Sequence, residues 1–384
     1  MRIVFWGTYD IGKPRVRLLR DGLRQNGFDL IECHADVWSG IEDKSQVTGL
    51  SRKIGLAIRW LSHYPGLLWR YLRLPPHDMV LVSYPGLLDV LLIKAFARLR
   101  GVSVVWDVFI SAYDTVVIDR RLVKPLSPLA WMLWGLEWLG IRSADLVFMD
   151  TRTHARRLEK LFSMPEGSCG SVWVGAEVER FTAESEETDI GPEVDPTPTL
   201  RVLFYGQFIP LHGIQHIVEA ARLLRDASVD WVLIGQGQEA TLIRTMLENE
   251  PLPRLRWIEW VEYADLKTWI GCADLCLGIF GTSDKAASVI PNKVFQIVAA
   301  QKPLVTRDSI AIRELLKDAP PCVYLVRPGD ARALADAIEQ HANQLEKQAT
   351  TSCHSDLLRL IDAKAIGEQF RKMVMEKRDA GVLK

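Results

Sequence analysis

Val289-Ile290-Pro291-Asn292-Lys293-Val294-Phe295-Gln296-Ile297-Val298-Ala299-Ala300-Gln301-Lys302-Pro303-Leu304-Val305 is the stretch on which the reading of this chain turns. A turn-forming Pro-Asn pair opens an apolar helix that carries one cation, Lys293. The helix stops at Lys302-Pro303, and Leu304-Val305 begins a short strand. A loop meeting a helix N-terminus beside a lysine suits a phosphate, because free N–H groups and the helix dipole both favour negative charge. The same letters also describe an ordinary helix start with a surface lysine. The order of elements around the stretch decides between the two.

Upstream of it, apolar runs of strand length alternate with helical patterns. Strands are expected at 201–205, 230–234, 255–258 and 274–277, with helices at 213–225, 238–248 and 264–271 between them. Downstream the alternation continues with a strand at 303–306, a helix at 309–316, a strand at 322–325 and a helix at 330–344. The first half repeats the pattern. Strands at 3–6, 30–33, 79–82, 103–106, 145–149 and 171–174 are separated by helical segments, among them 86–99, 127–142 and 152–162. Strand–helix–strand units at this spacing predict parallel sheets. Between the series, 182–199 is acidic and holds Pro192, Pro196 and Pro198, which reads as a linker. The expected organisation is α/β: a Rossmann-like domain over 1–180, a linker over 181–200, a second Rossmann-like domain over 201–353, and a helical segment, 354–384, crossing back to the first domain.

Composition narrows the class. The 384 residues supply ample core for two domains, and a net charge of −1 gives no global field for nucleic acid. The six cysteines, Cys33, Cys169, Cys272, Cys276, Cys322 and Cys353, form no C-x-x-C pair, and read as reduced, mostly buried thiols of a cytoplasmic protein. No signal peptide is read at the N-terminus, and no apolar run reaches the ~18 residues of a spanning helix. No His/Asp cluster has metal-ligand spacing, so no metal is expected.

With the elements in place, several segments resemble the retaining GT-B glycosyltransferases of the large family four. The strand and loop Val202-Leu203-Phe204-Tyr205-Gly206-Gln207-Phe208-Ile209-Pro210-Leu211-His212-Gly213 is similar to that family's phosphate loop. Trp231-Val232-Leu233-Ile234-Gly235-Gln236-Gly237 and Ala273-Asp274-Leu275-Cys276-Leu277-Gly278 resemble its next strands. The opening stretch resembles its Pro-x-Lys-Leu-Phe-Glu and Gly-Lys-Pro-Val segments. In the first half, Ser143-Ala144-Asp145-Leu146-Val147 and the run from Val172 to Phe181 match more loosely. The resemblance implies two Rossmann-like doubly wound domains facing a cleft. It also implies transfer of a sugar from a UDP- or GDP-type nucleotide sugar with retention, with no cofactor and no metal.

The resemblance also proposes residues. Gly206 would let backbone approach the diphosphate, with a turn glycine as the plainer reading. Gln207 and His212 stand where the family has Arg and Lys. Ser288 and Gln296 stand where it often has two Glu eight positions apart, and Trp106 stands where a His precedes Asp107. Donor contacts are therefore expected from Gly206, Gln207, Ser288, Asn292, Lys293 and Gln296, with Lys293 the main counter-charge and Lys285 a weaker one. Catalytic candidates are Asp107, Asp114 and His212; helix or turn capping is the alternative for each. Arg15 and Arg17, after the first glycine loop, suit an anionic acceptor or a solvated helix face equally. Glu137, in an apolar helix, is either functional or a buried carboxylate with partners.

Residues 44–77 contain no Asp or Glu and mix Lys44, Arg52, Lys53, Arg59, Arg70 and Arg73 with Trp60, Tyr64, Trp69 and Tyr71. This reads as a basic amphipathic helix for a peripheral contact at the inner face of the plasma membrane, or as a helix packed on the sheet. Trp131, Trp134 and Trp138, at i, i+3 and i+7, read as a core stripe. The leading function is a glycosyltransferase acting on a lipid-linked or cell-envelope glycan. The alternatives are a sugar-nucleotide epimerase and a non-catalytic GT-B subunit that binds a glycan or a partner.

Overall fold

The computed structural model describes residues 1–38, 50–182, 199–317, 320, 322–345 and 353–383. Lys44 and most of the acidic linker lie outside them. The chain divides into two compact units, Met1–Val174 with Asp362–Lys384, and Gly175–Ile361.

In the first unit the elements run β1 (Arg2–Gly7), α1 (Pro14–Gln25), β2 (Asp29–His34), α2 (Leu50–Ser62), α3 (Tyr64–Leu72) and β3 (Met79–Val82). They continue with α4 (Leu87–Leu99), β4 (Ser103–Asp107), α5 (Pro128–Ser143), β5 (Leu146–Met149), α6 (Arg152–Leu161) and β6 (Gly170–Ser171). All strands are parallel, in the order β2-β1-β3-β4-β5-β6. Runs such as Met79-Val80-Leu81-Val82 are apolar without alternation because both faces of a parallel sheet are covered. Tyr64, Leu67, Val90 and Ile93 pack with Val4 and Val80 on one face. On the other, Val16 and Leu19 of α1 meet Ile3 and Phe5 together with Phe370 and Val374 from the far end of the chain. Helix starts follow local chemistry: Pro128 occupies the first turn of α5, where Ser127 Oγ accepts from Ala130 N–H. The single amphipathic helix expected over 44–77 is two helices where described. Pro65 lacks the N–H that would continue α2, so the chain restarts at Tyr64 as α3.

The second unit runs α7 (Val178–Thr182), β7 (Leu200–Tyr205), α8 (Ile214–Leu223), β8 (Val229–Ile234), α9 (Ala240–Asn249), β9 (Leu255–Ile258) and α10 (Leu266–Cys272). There follow β10 (Leu275–Leu277), α11 (Asp284–Ser288), α12 (Asn292–Ala299), β11 (Leu304–Arg307), α13 (Ile310–Leu315), β12 (Val323–Val326), α14 (Ala331–Leu345) and α15 (Ser355–Ile361). Its parallel sheet has the order β12-β11-β10-β7-β8-β9. The last helix, α16 (Ala363–Asp379), belongs to the first unit and packs on α1.

One expectation fails outright. Cys322 and Cys353 are joined in a disulfide, 5.8 Å between Cα atoms, while Cys33, Cys169, Cys272 and Cys276 are free. The partners are 31 residues apart, and only folding brings the start of β12 against the segment before α15. No local spacing could announce the pair. The bond also removes the cysteine argument for a reducing, cytoplasmic setting.

Candidate functional site

Strand order places the site in the second unit. It reverses between β7 and β10, and the loops leaving the carboxyl ends of strands at such a switch point form a natural binding crevice. The loop leaving β7 begins at Gly206, with φ +137°. A Cβ there would lie 2.9 Å from Lys293 Nζ and 3.1 Å from His212 Cε1. The glycine, the imidazole and the amine, 87 positions apart at the extremes, thus converge on one point. The neighbouring loop forces the approach: a Cβ on Gly235 would meet the Gly206 carbonyl oxygen at 1.9 Å. Only glycine allows these two turns to touch.

Lys293 enters this point from the first turn of α12. Its side chain is 5% exposed, and Nζ has no hydrogen-bond partner among the described residues. Nζ sits 3.7 Å from the centre of the Phe204 ring, a cation–π contact. Burial pushes the ammonium well below the usual lysine range. His212 precedes α8 and donates from Nδ1 to the Gln207 carbonyl oxygen. A carbonyl only accepts, so the proton is on Nδ1. The backbone of the His212 loop is tied by Phe280 N–H to the His212 carbonyl at 2.9 Å.

The other expected donor residues divide. Asn292 is the first residue of α12, Gln207 is exposed, and Ser288 donates back to the Asp284 carbonyl at 2.7 Å inside α11. Lys285 is buried on α11. Gln296 lies one turn beyond Lys293, inside a polar chain. Tyr205 Oη donates to its Oε1 at 3.1 Å, its Nε2 donates to Tyr263 Oη at 3.4 Å, and Tyr263 Oη donates to Glu177 at 3.0 Å. Burial raises the Tyr205 phenol well above its usual range, so it stays a donor. A neutral amide fits between two phenols because it can accept from one and donate to the other. Tyr205, Tyr263 and Phe204 were not singled out from the sequence; the only signal was aromatics at the end of the strand before Gly206.

In the first unit the candidates bind one another. Arg15 donates from Nε and Nη2 to the two oxygens of Asp107 at 2.9 Å each. Its Nη1 reaches the carbonyls of Val172 and Trp173. The pair is 1% and 0% exposed. Asp114, on a π-helical turn, is buried and takes both Nε and Nη2 of Arg157, at 3.1 and 2.7 Å. Arg17 donates to the carbonyls of Ile11 and Gly12 in the first loop. Glu137 accepts from Ser111 Oγ, Ala112 N–H and Tyr113 N–H, and burial lifts it to about 7. Among the described residues no group of three or more His, Cys, Asp or Glu is placed to hold a metal ion.

This architecture of two parallel six-stranded sheets is the GT-B fold. The structure of Anabaena Alr3699/HepE in complex with UDP superposes with a TM-score of 0.64 over 98% of this chain and 100% of that one, at 13% identity. The lipopolysaccharide outer core galactosyltransferase WaaB, in its apo form, gives 0.59 over 98% and 100%, at 10% identity. Residues 199–344, most of the second unit, match the family model "Glycosyl transferases group 1". WcaI of Escherichia coli strain K12, assigned as a glycosyl transferase of colanic acid biosynthesis, is 22% identical over 170 residues. That match spans less than half of each protein, 43% of this chain and 42% of WcaI.

Proposed function

We propose that this chain transfers a sugar from a nucleotide diphosphate sugar to a glycan acceptor with retention of configuration. The observation that carries the reading is the buried Lys293 amine, unpaired among the described residues, beside Gly206, at the switch point of a domain that matches the group 1 glycosyltransferase model. A diphosphate set against Gly206 would meet the amine and the His212 imidazole, and its charge would restore the lysine to its ammonium form. As the bond between the anomeric carbon and the leaving oxygen breaks, negative charge grows on the phosphate that these groups face. The leaving phosphate takes the acceptor proton on the same face, so no protein nucleophile and no metal enter the step. HepE, described with UDP and with UDP-glucose, favours a UDP-type donor over GDP. The names of WcaI and WaaB favour a cell-envelope or lipid-linked glycan as acceptor, met at the inner face of the plasma membrane with residues 44–77 in peripheral contact.

The test is a thermal-shift screen of UDP-, GDP- and dTDP-sugars, followed by transfer assays. One nucleotide should raise the melting temperature, and Lys293→Ala should remove both the shift and the transfer. Full activity in that variant would sink the phosphate assignment. A second reading, a non-catalytic GT-B subunit, is favoured by the replaced cations Gln207 and His212 and by the tyrosines that engage Gln296. It predicts no nucleotide shift at all. An epimerase would instead alter a UDP-sugar with no acceptor present.

A further inference from the structure

We infer that the outer face of α5, with the loop 120–127 leading into it, docks on the surface of an anionic lipid bilayer. This adds a second membrane-facing surface to the one proposed for residues 44–77, and it does not depend on sugar transfer.

Helices α3, α4 and α5 lie side by side over one face of the first sheet. Their inner sides are spent on the core, through Leu67, Tyr71, Val90, Ile93, Ala130 and Ile141. The outer side of α5 is not polar, as a solvent-facing helix side would be. Trp131 is 61% exposed, and Leu129, Met132 and Leu139 are exposed beside it. The loop adds Leu122 and Leu126, the latter 85% exposed. Apolar side chains scattered singly on a surface mean little, but this many large ones exposed along one stretch of chain, Leu122–Leu139, mark an interaction site. The expected Trp131/Trp134/Trp138 core stripe is thus split: Trp134 and Trp138 pack on the core, and Trp131 faces out. On α2 and α3 the aromatics divide: Trp69 is exposed, as are Ile58, Leu61 and Leu72, while the other aromatics turn inward. Tyr64 and Tyr71 are buried, and Trp60 Nε1 donates to Thr8 Oγ1.

Charge selects the partner. Between 50 and 77 there is no Asp or Glu; between 120 and 144 the single one is Glu137, and α4 holds only Asp89. Glu137 and Asp89 are both buried. The charges that reach the outer side of these helices are therefore positive, from Arg70, Arg73, Arg98, Lys124 and Arg142. Arg73 lies over the Trp69 ring at 4.2 Å and Arg142 over Trp138 at 4.8 Å, which stacks cations on indoles at the rim. A second copy of the chain would bring like charge against like. An anionic headgroup layer above an acyl boundary matches both the cations and the exposed apolar side chains. The helix lies flat: α5 has 16 residues, roughly 24 Å at 1.5 Å per residue, short of the ~30 Å hydrocarbon core.

Co-sedimentation of the full chain with vesicles tests this. Vesicles of phosphatidylglycerol and phosphatidylcholine should bind the wild-type protein at least tenfold better than pure phosphatidylcholine, and less so in high salt. The double variant Leu126→Ser/Trp131→Ser should lose at least tenfold in that binding, and Arg98→Glu/Lys124→Glu should lose the preference for anionic lipid. All four positions are exposed, so melting temperature and nucleotide-induced thermal shift should stay at wild-type values. Equal binding by Leu126→Ser/Trp131→Ser, or no anionic preference in the wild type, overturns the inference. So does a wild-type dimer that this variant converts to monomer, which would make the face a self-interface. A wild type that binds vesicles but shows no nucleotide shift would sink the proposed function and leave the membrane surface standing.

Discussion

Each unit buries a cation near the carboxyl ends of its strands, and the two are handled in opposite ways. Arg15 is locked by both oxygens of Asp107 and by two backbone carbonyls. Lys293 has an aromatic face and no hydrogen-bond partner among the described residues. A buried charge must be paired, or its charged form is lost. Arg15 satisfies this rule within the protein and therefore reads as framework. Lys293 leaves it unmet, which is tolerable for a group whose counter-charge arrives with a ligand. By residue type both suit a ligand, Arg15 no more than a solvated helix face; geometry separates them.

The sharpest way to break the contrast is to remove each cation and measure unfolding. Arg15→Met strands the Asp107 carboxylate in a dry site and should cost about 3–5 kcal/mol by denaturant titration. Lys293→Met removes an amine whose burial is uncompensated, and should raise stability near neutral pH by on the order of 1–3 kcal/mol while nucleotide binding disappears. The sign follows from linkage. A lysine depressed in the folded state withdraws stability as pH falls through the range below its unfolded value, and removing it restores that loss. If both variants destabilise alike, Lys293 has a structural partner and the contrast collapses.

A smaller effect concerns Glu137. Its folded value of about 7 lies above the unfolded carboxylate range because burial favours the protonated form. Its contribution is fully present below the unfolded value and declines as pH rises from about 4.5 to 7, by at most ~1.4 kcal/mol per pH unit. Glu137→Gln should flatten the melting temperature over that window. An unchanged slope would show that the three donors around Glu137 keep it ionised.

The fold was legible because parallel strands buried on both faces leave continuous apolar runs. Met79–Val82 and Leu255–Ile258 fall on the expected residues, and most helices lie within two or three. Where local chemistry overrode the pattern, the reading slipped: Pro65 split α2 from α3, and the short α11 was not expected. The convergence of Gly206, His212 and Lys293 was legible only through the spacing that the resemblance supplied. The internal partners were not legible. Nothing in single letters says that Asp107 faces Arg15, that Gln296 sits between two phenols, or that Cys322 finds Cys353. Those pairings span 31 to 92 positions and exist only after folding. The Trp131 stripe misled because helical periodicity reports a shared side of a helix, and not what covers it.

The packing of α16 on α1 carries a consequence for how the chain is made. A Cβ on Gly22 would lie 2.1 Å from the Ala363 carbonyl, and one on Gly367 would lie 2.1 Å from the Gly22 carbonyl, so the two helices meet backbone to backbone. Ile366, Phe370 and Val374 complete a core begun by Ile3 and Phe5. The first of the two units to be translated therefore cannot close until the whole of the second has been translated. At 5–20 residues per second that delay is on the order of 10–40 s. For that interval one side of the first sheet stands open, while Gly175–Ile361 is free to fold as soon as it emerges. Of the two units, the one begun first is finished second, and a nascent-chain chaperone has a defined apolar sheet face to shield while it waits.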